Sequence, residues 1–236
     1  MTENYGLFYK TIRRLLRMVT PRFSVSNGHQ MSDAEAVVYV SHHQNLFGPV
    51  SVLVWYPEYV QTWILGVFLK FETCYAQYVD YTFTKRLGWP RWIARVAAYP
   101  LAWFASTLTT SGKGIPVYRQ SREVMQTMKQ TVATLENGES ILIFPDVYYD
   151  DTSPEVKEIY EGFLYIEKYY YRKTGQHIPF VPMYSDRENK EIRVGAPILF
   201  SGTEKFFVEK QQVAGNIQMA LNELAKVPEK VPVESA

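Results

Sequence analysis

Two adjacent histidines, His42 and His43, are the side chains of this sequence best suited to proton transfer. They follow the apolar run 36–40, which predicts a short buried strand that ends just before the pair. An imidazole at a strand end is well placed to act as a general base, because its ordinary pKa lies near neutral pH. A catalytic histidine usually needs a carboxylate that orients its ring, and residues 36–57 contain no acidic residue. The carboxylate must therefore come from another part of the chain.

Two further strand ends carry side chains that suit the same site. Arg119 follows a predicted strand at 115–118, and Pro145 and Asp146 follow a continuous apolar strand at 141–144. The carboxyl ends of neighbouring parallel strands face one crevice, where ligands bind. We therefore expect the histidine pair, the arginine and the aspartate to converge as a base, an anion clamp and a polar support.

The elements needed to position these loops follow from the alternation of apolar strands and amphipathic helices. After Gly114 the pattern is regular, and it predicts one α/β domain with a mostly parallel sheet flanked by helices. Ser153 with Pro154 has the pattern of a helix start, so we expect a helix from Ser153 to about Lys173. The remaining predicted elements are strands at 178–183 and 192–199 and helices near 121–137 and 204–226.

The two ends of the chain and one internal segment of the domain differ in composition from the rest of the sequence. We divide the chain into a basic amphipathic N-terminal region at 1–30, the α/β domain at 31–226 and a disordered tail at 227–236. The N-terminal helix suits either an anionic membrane surface or a position on the domain with a solvated basic face. The segment 73–110, rich in tryptophan and arginine, suits either an interfacial anchor or a helical hairpin buried on the core.

Composition narrows the functional classes. Lys and Arg number 25 against 24 Asp and Glu, so the net charge of +1 gives no reason to expect a nucleic acid partner. One cysteine excludes an internal disulfide and gives no support for a Cys/His zinc site. We expect no secretory signal peptide and no spanning helix, because basic residues interrupt the first apolar stretch and no uncharged apolar run reaches 18 residues. Aromatic residues make up 15% of the chain, which suits peripheral membrane contact or a large apolar pocket.

Four blocks in order resemble the motifs of the glycerolipid acyltransferase family, the PlsC-type 1-acylglycerol-3-phosphate acyltransferases. The resemblance spans about residues 34–226. The first block resembles Asn-His-x-x-x-x-Asp, the second ends in an arginine, the third resembles Phe-Pro-Glu-Gly-Thr, and the fourth is a Val-Pro strand. In this chain they read HHQNLFG at 42–48, GIPVYR at 114–119, FPDVY at 144–148 and IPFVPM at 178–183.

The resemblance implies a fold, an activity and a set of site residues. It implies a membrane-associated acyltransferase of phospholipid biosynthesis, which moves a fatty acyl group from acyl-CoA or acyl-ACP to a glycerolipid or lysophospholipid hydroxyl. It makes His43 the base, with Asp146 also catalytic, and it requires no metal or other cofactor. A peripheral position on the cytoplasmic face of the membrane is implied as well. The substrate-binding residues would be Arg119, His42, Asn45, Pro145 and Tyr148.

The first and third blocks depart from the family pattern. The aspartate that orients the histidine is replaced by Gly48, so Asp146 or Asp150 would have to reach the His43 ring. Val147 replaces a glycine of the third block, and acids follow it at 150 and 151, so we expect an acceptor less anionic than lysophosphatidate. Three alternatives remain: a catalytically impaired homologue that binds lipid or a partner protein, a hydrolase that uses the same histidine, and a divalent metal at Asp146, Asp150 and Asp151.

Overall fold

The computed structural model describes residues 5–27, 36–118 and 123–226. Seven strands form one sheet, in the order β1-β7-β6-β2-β5-β3-β4. The strands are β1 (Ser24–Asn27), β2 (Val38–Ser41), β3 (Val60–Leu65), β4 (Ile115–Val117), β5 (Ser140–Ile143), β6 (Phe180–Asp186) and β7 (Glu191–Val194). The helices are α1 (Leu7–Val19), α2 (Phe47–Trp55), α3 (Phe71–Ala76), α4 (Arg91–Ser111), α5 (Val124–Glu136), α6 (Tyr165–Thr174) and α7 (Phe206–Ala225). A π-helix at Gln77–Arg86 links α3 to α4, and 3₁₀ turns occupy Gly66–Phe68 and Glu161–Leu164.

Every neighbouring pair of strands is parallel except β6 and β7, which run antiparallel. The sequence prediction of a single α/β domain with a mostly parallel sheet flanked by helices is therefore confirmed. Since β2 lies between β5 and β6 in parallel register, the carboxyl ends of these three central strands meet at one edge of the sheet. The loops that follow β2 and β5 begin at this edge.

The central strands are buried on both faces, which explains why they read as continuous apolar runs. On β2, Val38 and Val40 face a core that α5, α6 and α7 cover. Val37 and Tyr39 face the opposite core, against α2. This alternation fixes the register of β2, because a slip by one residue would exchange the two faces.

The predicted start of a helix at Ser153 is wrong, although a helix does end near Lys173, as α6. Residues 144–160 form an irregular loop, and helical structure begins only with the 3₁₀ turn at 161. The Ser153 hydroxyl donates to the Glu155 carbonyl (3.0 Å) instead of capping a helix. Tertiary bonds take the backbone groups around it: the Tyr160 N–H donates to the Pro145 carbonyl (2.7 Å), and the Val147 N–H to Glu158 (3.1 Å). We call residues 147–160 of this loop the strap.

The N-terminal helix forms as predicted, but its basic face is not wholly solvated. Arg13 is 5% exposed and donates to the backbone carbonyls of Val54 (2.9 Å) and Tyr56. Arg17, one turn later, also donates to the Val54 carbonyl (2.7 Å). The last carbonyls of a helix carry partial negative charge and have no partner within the helix, so two guanidinium groups cap the end of α2. The apolar side chains left exposed on α1 are Leu7, Leu15, Met18 and Val19.

The aromatic segment at 73–110 is packed on one side and exposed on the other. Val79, Phe83, Ala94 and Ala98 pack into a small core between the π-helix and α4. The other side of α4 is exposed and apolar, with Trp92, Val96, Tyr99 and Trp103 each more than half exposed. Within the described part of the chain, no helix combines the length and the apolar character needed to cross a membrane.

Candidate functional site

The histidine pair lies in a tight turn between β2 and α2. Gln44 and Asn45 both adopt positive φ values, 45° and 59°, which let the chain reverse within a few residues. Non-glycine residues rarely adopt this conformation, and each such residue costs on the order of 1 kcal/mol or more. The Gln44 side chain donates to the Ser185 carbonyl at the end of β6 (3.2 Å), which helps to hold the turn.

A carboxylate does reach the pair, and it binds the ring of His42. Asp146 Oδ1 lies 2.5 Å from His42 Nδ1, and Asp146 Oδ2 accepts a hydrogen bond from the His43 backbone N–H (2.9 Å). Both side chains of this dyad are buried, at 2% and 6% exposure. Asp146 therefore bridges the loop after β5 to the turn after β2, across neighbouring parallel strands.

The second ring nitrogen of His42 is also occupied. Nε2 lies 3.0 Å from the backbone carbonyl oxygen of Ser153, in the strap. A carbonyl oxygen and an ionised carboxylate only accept hydrogen bonds, so the two contacts together favour the doubly protonated ring. Burial opposes this charge, but the bonds to Asp146 and Ser153 outweigh it and raise the pKa of His42. In this arrangement both ring nitrogens of His42 have a hydrogen-bond partner.

The His43 ring has a different environment. It lies edge-on to Phe144 (5.6 Å between ring centroids) and to Tyr149 (6.0 Å). Its Nδ1 is buried and has no hydrogen-bond partner among the described residues. Burial lowers the pKa of His43, which keeps its ring neutral at pH 7. The expected carboxylate contact to the His43 ring is thus found on His42 instead.

Gly48 stands where the PlsC-type motif that the first block resembles has an aspartate, and the backbone leaves no room for a side chain there. A Cβ atom on Gly48 would lie 2.1 Å from the His42 carbonyl oxygen and 2.8 Å from that of His43. The Gly48 N–H also donates to the His43 carbonyl (3.0 Å), which draws the first turn of α2 against the pair. The glycine at 48 is therefore coupled to the local backbone path, and the carboxylate that reaches the histidine pair is that of Asp146.

Three of the other predicted site residues, Asn45, Pro145 and Tyr148, lie in the loops that follow β2 and β5. Arg119 lies outside the described residues. Asn45 and Tyr148 are exposed, so both side chains are accessible to a ligand. Pro145 contributes its carbonyl to the base of the strap. Asp150 is exposed and, with Tyr148, Asp151 and Lys157, lines a cleft of about 500 Å³.

These acids do not form a metal site in the described residues. No group of three histidine, cysteine, aspartate or glutamate side chains there is arranged to hold an ion. Asp146 is bound by His42, and Asp151 pairs with Lys157 (2.6 Å) and accepts a bond from the Ser153 N–H (2.9 Å).

The sequence did not reveal how the strap is held over the dyad. Asn222 of α7 exchanges two hydrogen bonds with the backbone of Val156, at 2.7 and 3.2 Å. Gln218, one turn earlier, donates to the Lys157 carbonyl (2.7 Å). Both are ordinary polar positions on an amphipathic helix, and no pattern in the sequence marks them. The space between His42 and the strap is too small for a water molecule, so the dyad is closed.

Comparison with known proteins gives a result for the fold alone. No protein-family model and no curated protein matches the chain. The crystal structure of the 1-acyl-sn-glycerophosphate (LPA) acyltransferase PlsC from Thermotoga maritima is similar, with a TM-score of 0.53 at 14% sequence identity. The similarity covers 94% of this chain and 80% of that one. The chain therefore has the α/β fold of a PlsC-type acyltransferase, with a His–Asp dyad at the carboxyl ends of its central strands.

Proposed function

We propose that this chain is a membrane-associated acyltransferase, which moves a fatty acyl group from acyl-CoA or acyl-ACP to the hydroxyl of a glycerolipid or lysophospholipid. The observation that carries this proposal is the contact between His42 and Asp146 at the carboxyl edge of a PlsC-like sheet. Crevices at this edge are the usual ligand sites of such sheets. An imidazole oriented by a buried carboxylate is an arrangement typical of general-base catalysis.

In the proposed reaction, His42 takes the role that the sequence pattern gave to His43. Asp146 holds the Nδ1–H, so that a neutral His42 presents the Nε2 lone pair to the acceptor hydroxyl. Nε2 removes the hydroxyl proton as the oxygen attacks the thioester carbonyl. Collapse of the tetrahedral intermediate breaks the carbon–sulfur bond, and the departing thiolate takes the proton. The Ser153 carbonyl must first leave Nε2, so this chemistry requires the strap to open.

Acyl transfer by histidine variants tests the assignment. His42→Gln should lower kcat by 10²-fold or more, because general-base catalysis contributes about 10²–10⁴-fold. His43→Gln should cost much less, because its ring has no carboxylate partner. Both variants are assayed with acyl-CoA and acyl-ACP as donors, and their folding is compared with wild type by thermal unfolding. Equal rates for wild type and a folded His42→Gln would contradict the proposal.

The charges around the dyad favour an acceptor with little negative charge. Asp150 and Asp151 line the neighbouring cleft with a single lysine, Lys157. A phosphomonoester carries close to two negative charges at neutral pH, and these acids would repel it. We infer an acceptor that is less anionic, such as a neutral glycolipid or a lysolipid with a cationic head. Faster transfer to lysophosphatidate than to lysophosphatidylcholine would contradict this inference.

A second function is favoured by the closed state of the dyad. His42 is buried, both of its ring nitrogens have hydrogen-bond partners, and the space between its ring and the strap is too small for a water molecule. These properties suit a catalytically impaired homologue, which binds lipid or a partner protein and uses the dyad as a structural clamp. Wild-type protein that binds lysolipid vesicles but transfers no acyl group from either donor would support this alternative.

Membrane attachment is part of the proposal, at the cytoplasmic face where acyl donors are available. The exposed apolar face of α1 adjoins that of α4, since Phe8 packs edge-on against Trp103 (5.7 Å) and Phe104 (5.9 Å). Tryptophan on an exposed apolar surface is typical of proteins that lie in the membrane interface. Trp92→Gln with Trp103→Gln should reduce co-sedimentation with vesicles. The matched control is Phe207→Gln with Met219→Gln, because these exposed residues lie on α7. Equal losses for both pairs would contradict the assignment of this surface.

A further inference from the structure

A groove on the α2 face of the sheet lies apart from the dyad and its strap. It runs between the end of α1, strand β1 and the turn that joins β6 to β7, and its volume is about 880 Å³. Arg17, Arg22 and Lys190 line it, together with the indole of Trp55. None of its lining residues belongs to the site around His42.

The charges of this groove are of one sign. Among the residues that the structure describes, no acidic side chain lines it, and no ion pair involves its three cations. Behind it, Arg13 is buried with its Nη1 atom lacking a hydrogen-bond partner among the described residues. The Arg17 guanidinium donates to the Val54 carbonyl (2.7 Å) and lies 5.5 Å from the Trp55 ring centroid, and burial and the nearby charge of Arg13 both lower its pKa. An anion in the groove would relieve this repulsion.

The remaining walls suit an organic group rather than a bare ion. Phe23, Val25 and Pro57 supply apolar surface next to the Trp55 ring, and Ser24 and Asn189 add neutral polar groups. The volume lies within the range of about 300–1,000 Å³ that is usual for small-molecule and cofactor sites. Guanidinium groups bind phosphate oxygens through paired N–H donors, so phosphate is the anion that this lining fits best.

We propose that this groove binds the phosphate groups of a nucleotide-sized organic phosphate. Two sources share this chemistry: a soluble nucleotide, such as the nucleotide part of an acyl donor, and the phosphate headgroup of an anionic lipid. The second source is geometrically available because Met18 and Val19, at the end of α1, are exposed next to the groove. The proposal does not depend on acyl transfer, since binding here requires no reaction at His42.

Binding measurements with two probes test the proposal and separate the two sources. The variant is Arg22→Gln with Lys190→Gln, because both residues are exposed and neither caps a helix. Arg17 is left unchanged because it caps α2. The matched control is Lys129→Gln with Arg172→Gln, which removes the same charge from exposed positions on α5 and α6, across the sheet. The probes are adenosine 3′,5′-bisphosphate in calorimetry, and phosphatidylcholine vesicles containing phosphatidic acid in sedimentation.

We expect the groove variant to bind at least one probe about tenfold or more weakly, because it loses two cations that can form charge-assisted hydrogen bonds to phosphate oxygens. The control variant should bind like wild type. A loss confined to the bisphosphate assigns a soluble nucleotide, and a loss confined to the vesicles assigns a lipid phosphate. The proposal is overturned if wild type binds neither probe, or if the groove and control variants lose affinity equally. These assays contain no acyl donor, so their failure leaves the proposed transferase activity unaffected.

Discussion

Asp146 Oδ1 lies 2.5 Å from Nδ1 of His42, although 104 residues separate the two along the chain. The contact joins the ends of β2 and β5, two neighbouring parallel strands. The same carboxylate accepts a bond from the backbone of His43, so it fixes both the ring of one histidine and the position of the next. The carboxylate that reaches the histidine pair thus comes from the end of the neighbouring strand β5, whereas the family motif would place it a few residues after the histidines.

The two histidines should titrate on opposite sides of the ordinary value of about 6.5. The bonds to Asp146 and Ser153 overcome burial and raise the pKa of His42, whereas burial lowers that of His43. Ring resonances followed by NMR against pH should show His42 titrating above 6.5 and His43 below it. In Asp146→Asn the pKa of His42 should fall, because burial lowers this pKa and the carboxylate charge that raises it is gone. A His42 pKa below 6.5 in wild type would contradict the assigned contacts.

The same shifts predict how stability depends on pH. The raised pKa of His42 contributes stability that is fully present below about pH 6.5 and is lost as pH rises through the folded-state pKa. The lowered pKa of His43 acts in the opposite sense and destabilises the fold as pH falls below about 6.5. Urea unfolding at a series of pH values checks both effects. His42→Gln should remove the loss above pH 6.5, and His43→Gln should remove the loss below it.

Substitution of Gly48 should disrupt the turn and should not restore a family-like site. A Cβ at this position meets backbone oxygen atoms at 2.1 and 2.8 Å, which cannot move as a flexible side chain would. We expect Gly48→Ala to lower the free energy of unfolding by about 2 kcal/mol, in the range usual for overpacking. Gly48→Asp should be at least as destabilising and should not increase acyl transfer.

Gly215 provides the matched control for this prediction. It lies within α7, and a Cβ there would meet no atom within 4 Å. Gly215→Ala should therefore raise the free energy of unfolding by about 0.5–1 kcal/mol, since alanine favours helix over glycine. Chemical denaturation compares the two substitutions directly. A neutral Gly48→Ala would show that the turn after β2 tolerates a side chain.

The convergence of the loops could be predicted from the sequence, but the choice between the two histidines could not. Apolar runs at 36–40 and 141–144 indicated buried parallel strands, and parallel strands bring their carboxyl ends together. Which ring then meets Asp146 depends on the direction of two successive side chains at the strand end. The positive φ values of Gln44 and Asn45 reverse the chain directly after the pair, and neither residue is a glycine that would have marked the turn.

Local sequence patterns failed to predict two features: the irregular path of the strap and the contacts of the arginines in α1. Ser153 and Pro154 are good helix-start residues, yet bonds from α7 and from the start of the loop hold the backbone in an irregular path. Local propensity is weak compared with several tertiary hydrogen bonds. For α1 both alternatives, an anionic membrane surface and a solvated basic face, left the arginines on the outside of the domain, because charges are usually exposed. The free carbonyls at the end of α2 instead bind Arg13, and a pattern confined to one helix does not reveal a partner on another.

Loosening the strap should expose the dyad. Asn222→Ala removes both hydrogen bonds to Val156, at about 1 kcal/mol each, so the open state should become roughly tenfold more populated or more. Hydrogen exchange should then be faster at the amides of 147–160, and the pKa of His42 should fall as the Ser153 carbonyl spends less time on Nε2. If the chain transfers acyl groups, the transfer rate should rise, because opening of the strap precedes proton removal from the acceptor.

Asn216→Ala is the control for this prediction, since Asn216 is exposed on the same helix. Equal exchange in both variants would show that Asn222 does not hold the strap, whereas faster exchange without any acyl transfer would favour the lipid-binding alternative.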